Sequence, residues 1–106
     1  TTSPEAVSLT PEHVPLMRDI VDSQFPSAIA ELGRLVRIPG IAWDAFDANN
    51  LELSAQAVAK LLTDLAIFES VEIRRAEYEP SKVGAPAVVA TRAARNGRPT
   101  VLLYAH

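Results

Sequence analysis

The segment Thr100-Val101-Leu102-Leu103-Tyr104 decides the fold class of this chain. Its apolar residues are consecutive from Val101 to Tyr104, which is typical of a strand buried on both faces in the middle of a layered sheet. Such a strand needs a neighbour along each edge, because buried backbone groups must be paired. We therefore expect an internal strand here, and the chain, which ends at His106, to be the front of a larger, incomplete domain.

Two further strands precede this segment. Val71–Arg74 alternates apolar and charged side chains, which indicates a strand with one wet face. Ala87–Arg92 is the second predicted strand, and Asn96-Gly97 is a turn signal before the third. Glu77–Pro86 contains two prolines and a glycine, and we expect a loop there.

The first predicted helix begins at Thr10-Pro11-Glu12, where a capping oxygen, a proline and an acidic side chain follow one another. Apolar residues then recur every three or four positions as far as Val36, so one face of the helix is apolar. Pro26 interrupts the backbone hydrogen bonds. A single helix kinked near Phe25-Pro26 is the first expectation and two abutting helices the second. Pro39-Gly40 ends the run.

A loop over Ile41–Asn50 and a second amphipathic helix follow. The loop carries Trp43 and Phe46, which we expect to anchor it to the core. From Leu51 the apolar spacing again has a helical period, and the helix should end near Ala66–Phe68. The sequence thus predicts an α/β fold with two amphipathic helices followed by three strands of a mixed sheet.

Composition excludes several classes of protein. The chain has 106 residues, 48% of them hydrophobic and 22% charged, as expected for one globular domain. A net charge of −3 makes nucleic acid an unexpected partner. No cysteine is present, so a metal site must use His, Asp or Glu. No apolar stretch approaches the roughly 20 residues that span a bilayer, so we expect no membrane partner and a cytoplasmic location.

Few residues indicate a local site. The chain has no glycine-rich phosphate loop, nucleophile elbow or HExxH helix. His13 is expected at the surface, and the acidic and basic side chains between Glu69 and Arg98 are expected to be solvated. His106 directly follows the predicted internal strand, at the end where open α/β sheets place ligands. From position alone, an ordinary histidine at a strand end is still the favoured interpretation.

Three stretches together resemble the N-terminal part of the M20 family of metallopeptidases. They are Ala30–Ile41, Ala57–Arg74 and, most specifically, Gly97–His106 with the sequence GRPTVLLYAH. The resemblance covers about residues 12 to 106. The chain departs from the family pattern at Gly40, where serine is common, and at Ala66-Ile67, where glycine often closes the helix. We expect neither Ala66 nor Ile67 to adopt the left-handed conformation that glycine tolerates.

The resemblance implies that His106 is a ligand of one of two zinc ions in an enzyme that hydrolyses peptide or amide bonds. The substrate would be a small peptide or an N-acyl amino acid. The remaining ligands, the general base and the lid and dimerisation domain would follow His106. Residues 1–106 would then be the N-terminal fragment of the catalytic domain. The fragment would contain no catalytic residue, would be inactive alone, and would have the remainder of that domain as its partner.

Two other interpretations remain open. The chain could be a non-enzymatic fragment that associates through the strand edge beside Val101–Tyr104, either with the rest of its own protein or as a homo-oligomer. It could also be a freestanding α+β module with an unrelated binding role.

Overall fold

A computed structural model describes residues 10–106 as a small mixed α/β arrangement of two helices and a few antiparallel strands. The predicted pair of helices is confirmed, whereas the predicted three-stranded mixed sheet is wrong. The strands form two antiparallel pairs, β1 with β4 and β2 with β3. In chain order the elements are α1 (His13–Val36), α2 (Ala48–Asp64), β1 (Ser70–Arg74), β2 (Glu77–Glu79), β3 (Lys82–Val83) and β4 (Ala87–Thr91).

The first helix, α1, runs unbroken through Pro26, so the single helix is confirmed over two abutting ones. It begins at His13, later than the predicted start at Thr10. The Thr10 hydroxyl is hydrogen-bonded to Nδ1 of His13 at 2.9 Å, and the Thr10 carbonyl accepts from the His13 N–H at 3.0 Å. Residues 10–13 therefore form a turn before the helix.

No helix within residues 10–106 has both the length and the apolar character needed to cross a bilayer.

The second helix, α2, begins at Ala48, three residues before the predicted start at Leu51. The Asp47 carboxylate caps it by accepting a hydrogen bond from the Asn49 N–H at 2.9 Å. The last helical residue is Asp64, and Ala66 follows with a φ of 56°. The expectation that Ala66 avoids the left-handed region is therefore wrong. Alanine occupies the position that usually favours glycine at a helix end, where its Cβ is unfavourable.

The pair β1–β4 forms the floor against which α2 packs. Its register pairs Ser70 with Thr91 and Arg74 with Ala87. Val71 and Ile73 are half-buried while Glu72 and Arg74 are exposed, which confirms the predicted alternation. On the solvent-exposed face of β1, the Arg74 guanidinium donates a hydrogen bond to the Glu72 carboxylate, and this interaction lowers the pKa of that carboxyl. Ala55 of α2, 6% exposed, is the one buried side chain among the described residues.

The predicted third strand, Thr100–Tyr104, is not formed. This segment lies outside helix and strand, and its apolar side chains are exposed, from 74% at Val101 to 90% at Leu102. A strand forms only where a neighbour completes its ladder, and within residues 10–106 none lies beside this segment. The turn before it is confirmed. Asn96 and Gly97 both have positive φ, and the Arg98 N–H donates to the Arg95 carbonyl at 3.1 Å.

A short hairpin replaces the loop predicted over Glu77–Pro86. Its strands, β2 and β3, have three and two residues, too few for an apolar alternation to be visible in the sequence. Pro80 and Ser81 lie between them, and Ser81 has a φ of 68°. Proline followed by a residue of positive φ is typical of a type II turn. The residues of this turn are therefore the sequence signal from which the hairpin could have been predicted.

The expected anchoring of Trp43 to the core is also wrong. Its side chain is 75% exposed and packs edge-to-face on Phe46, with ring centroids 6.4 Å apart. Phe46 is 45% exposed. The two aromatic rings shield part of each other from solvent and do not cover a core. The described residues around this loop bury too little apolar surface to enclose an indole.

Gly40 lies in the loop after α1, next to α2. A Cβ at this position would be 3.0 Å from the Ser54 Cβ and 3.3 Å from its Oγ. A side chain at this position would therefore require Ser54 to shift by a few tenths of an ångström.

Replacing Ala66 by glycine should stabilise the protein. The change Ala66→Gly removes the Cβ from a left-handed residue, and we expect the free energy of unfolding to rise by about 1 kcal/mol. The matched control is Ala59→Gly inside α2, which should lower it by about 1 kcal/mol. Urea titrations of both variants measure the difference. Equal destabilisation by the two changes would show that Ala66 is not left-handed in solution.

Adding one methyl group at Gly40 should destabilise the contact between its loop and α2. We expect Gly40→Ala to lower the free energy of unfolding by about 1 kcal/mol or more. The control Gly33→Ala, inside α1 with no atom near the added Cβ, should instead raise it by roughly 1 kcal/mol. Thermal unfolding compares them. In a double-mutant cycle with Ser54→Gly, Gly40→Ala should cost less in the Ser54→Gly background than in the natural chain, and fully additive effects would contradict the steric explanation.

Candidate functional site

The segment that carries His106 borders an open cavity. We call Thr100–His106 the C-terminal segment, and the space of about 600 Å³ between this segment, β4 and α2 the β4 cavity. Leu51, Ala55 and Val58 of α2 form its apolar floor. Among the described residues, the imidazole of His106 and the phenol of Tyr104 are the only ionisable side chains that line the cavity. The arrangement therefore suits an uncharged occupant, since a charge buried there would have no partner.

His106 is exposed and stands at the β4 cavity without another metal-binding side chain. Within residues 10–106 no group of three His, Asp or Glu side chains is placed to hold a metal ion. Zinc in proteins takes three or four protein ligands, and a lone imidazole is one. The donor set of the described residues thus does not fit a complete zinc site.

The other charged residues considered from the sequence are spread over the surface. His13 lies at the start of α1 and does not line the cavity that His106 borders. Three carboxylates of the acidic stretch are in ion pairs. Glu69 lies 3.3 Å from Arg95, Glu72 2.5 Å from Arg74, and Glu79 2.8 Å from Lys82. These pairs agree with the expectation of solvated charges on the strands and loops.

A second cavity, of about 560 Å³, lies between the loop over residues 41–47, α2 and the β2–β3 hairpin. Trp43, Phe46 and Tyr78 contribute aromatic rings to it. At its border Arg75 forms an ion pair with Glu52 of α2. The two partners are 23 positions apart in the chain, and no local pattern in the sequence indicates the pair. It is the least exposed ion pair among the described residues, with side chains 33% and 39% exposed.

A third cavity, of about 500 Å³, separates the end of α1 from α2. Leu35 and Leu61 are among its apolar lining, and ion pairs within each helix flank it. Lys60 Nζ lies 2.5 Å from Asp64, whose hydrogen bond and charge raise the lysine pKa. The other pair, Arg34 with Glu31, lies within α1. Each pair joins two residues of the same helix, so the pairs stabilise the individual helices rather than the contact between α1 and α2.

Comparison with known protein families, with curated proteins and with solved structures finds no match to this chain. The M20 resemblance therefore stays a prediction from the sequence. His106, the last residue of the most specific stretch of that resemblance, borders the open β4 cavity.

The ion pair between Glu52 and Arg75 should connect α2 to the end of β1. We expect Arg75→Ala to lower the free energy of unfolding by about 0.5 to 1 kcal/mol, the upper range for pairs near a surface. The matched control Lys82→Ala breaks the more exposed pair with Glu79 and should change it little. A double-mutant cycle with Glu52→Gln measures the coupling energy by urea unfolding. Fully additive effects would show that the pair contributes nothing.

Proposed function

We propose that the chain is the N-terminal segment of the catalytic domain of a zinc-dependent M20-type peptidase with dipeptidase-like chemistry. The observation that carries the proposal is the stretch Gly97–His106, in which an apolar segment leads directly to a histidine. Two preceding stretches resemble the family in the same order. The substrate would be a small peptide or an N-acyl amino acid, and the absence of cysteine suits a cytoplasmic location.

The role proposed for this chain is to position one metal ligand. His106 would donate a neutral ring nitrogen to one of two zinc ions. When bound, such ions lower the pKa of a shared water and polarise the substrate carbonyl. The chain by itself holds one of the several ligands that this chemistry needs, so we expect residues 1–106 alone to be inactive and to bind zinc weakly. The other ligands and the general base would come from the rest of the catalytic domain.

The local structure supports a positioning role in two respects. The C-terminal segment is apolar, which would let it become an internal strand once neighbours pair with it. Its last residue then stands at the end of that strand, where a ligand is held by the sheet rather than by a flexible side chain alone. The β4 cavity beside the segment is open and uncharged, as a slot for further strands should be.

The sequence encoded after His106 gives the first test. An aspartate two positions on would support the proposal, because such a carboxylate orients a zinc-bound imidazole. A stop codon directly after His106 would contradict it.

The second test uses the protein expressed from its whole gene. We expect it to contain zinc and to hydrolyse dipeptides or N-acyl amino acids. His106→Ala should lower the zinc content and reduce activity by about 100-fold or more. The matched control is His13→Ala, which removes the other histidine of this stretch and should change neither. Metal analysis and amide hydrolysis are the measurements. Full activity and zinc content in His106→Ala would overturn the proposal.

The open strand edge favours a second candidate function, that of a non-enzymatic module that associates with another chain. Its supporting observation is the unpaired C-terminal segment, whose large apolar side chains are 74% to 90% exposed. Exposed apolar stretches of this kind are typical of interaction sites. Zinc-dependent hydrolysis by the protein from the whole gene separates the two candidates.

A further inference from the structure

The cavity between the loop over residues 41–47, α2 and the β2–β3 hairpin is separate from the site proposed for zinc. We call it the aromatic cavity, because Trp43, Phe46 and Tyr78 line it with exposed rings. Its volume of about 560 Å³ lies within the range of small-molecule sites. No residue of the C-terminal segment lines it, and the proposed function assigns it no occupant.

A turn fixes two of the three rings relative to each other. The Phe46 N–H donates to the Trp43 carbonyl at 2.9 Å, which closes a four-residue turn between them. The ring centroids are 6.4 Å apart and the ring planes are inclined by 64°. Rings inclined this steeply form a corner in which one ligand can contact a face of each ring. Because the backbone sets this corner in advance, little ordering is needed when a ligand binds.

The opposite side of the aromatic cavity is braced by an ion pair. Arg75, directly after β1, pairs with Glu52 of α2. The Gly84 N–H donates to the Ala76 carbonyl at 2.7 Å and closes the base of the hairpin that carries Tyr78. The wall that holds the third ring is thus connected to the helix that follows the turn.

The charges along the aromatic cavity leave one carboxylate without a partner. Apart from the Tyr78 phenol, its ionisable side chains are Asp44, Glu52 and Arg75. Glu52 and Arg75 neutralise each other, and none of the six ion pairs among the described residues includes Asp44. Asp47, the other acidic residue of the loop, caps α2. At neutral pH the lining therefore carries one net negative charge beside three aromatic rings.

We propose that the aromatic cavity binds a small organic cation, an ammonium group that carries alkyl substituents. The cation lies against the faces of Trp43 and Phe46, and tryptophan is the side chain that attracts cations best through its ring. The Asp44 carboxylate supplies the opposite charge. An anion finds no unpaired cation in this lining, because Arg75 is already paired with Glu52. An uncharged ligand gains contact with the rings but nothing from Asp44.

Choline and its uncharged carbon analogue test the proposal. In the analogue a tert-butyl group replaces the trimethylammonium group, so the two probes share a shape and differ in one charge. Calorimetric titrations use the protein expressed from its whole gene, at low ionic strength. We expect choline to bind about 5-fold or more tightly than the analogue. Added salt should reduce this preference, because it screens the attraction to the carboxylate.

Variants of the lining locate the binding. Trp43→Ala should weaken choline binding about 5-fold or more, and Trp43→Phe, which keeps a ring, should lose less. Asp44→Asn should weaken the binding of choline and leave that of the analogue unchanged. The matched controls are Phe25→Ala and Asp22→Asn on the exposed surface of α1, which should change neither. Circular dichroism checks that all variants remain folded.

Three results would overturn the proposal. They are the absence of choline binding at millimolar concentrations, equal affinity for choline and the analogue, and choline binding that neither Trp43→Ala nor Asp44→Asn weakens. The variant His106→Ala separates this site from the zinc site. It should bind choline as the natural protein does, whatever happens to its zinc content and activity, because His106 does not line the aromatic cavity.

Discussion

The packing of α2 on the β1–β4 pair is the contact on which the rest of the structure depends. Its centre is Ala55, the one buried side chain among the described residues. Around it the apolar side chains of both strands are only half-buried, so the area removed from water is small for a chain of this length. Without this contact α2, the strands and the β4 cavity would have no fixed relation to one another.

Local signals in the sequence predicted the elements well where the structure is local. The alternation of Val71–Arg74, the turn at Asn96-Gly97 and the helical periods of α1 and α2 all depend on residues within one or two turns of each other. The Asp47 carboxylate caps α2, so the helix begins at Ala48, three residues before the start predicted from the apolar spacing alone. The β2–β3 hairpin was harder to predict, because strands of two and three residues carry no periodic pattern.

The failures concern features that depend on distant neighbours. An apolar run such as Val101–Tyr104 indicates how it would be buried but not by what, and a strand exists only with its partner. The ion pair of Glu52 with Arg75 joins residues far apart in sequence and has no local signal. Ala66 shows the opposite case, in which the path of the chain from α2 into β1 overrides a local preference. The role of His106 as a metal ligand stays a prediction, because no other metal-binding side chain among the described residues lines the cavity that it borders.

The long helix α1 has a consequence for how the molecule opens. Its 24 residues contribute to the cavity beside α2 only from Glu31 onward, and most side chains before that point are exposed. The first half of the helix is therefore held mainly by its own backbone hydrogen bonds, which are marginal for an isolated helix in water. Pro26 removes one of those bonds near the middle. The two halves of α1 should accordingly behave as separate cooperative units, the first unfolding at low cost while the second stays with the sheet.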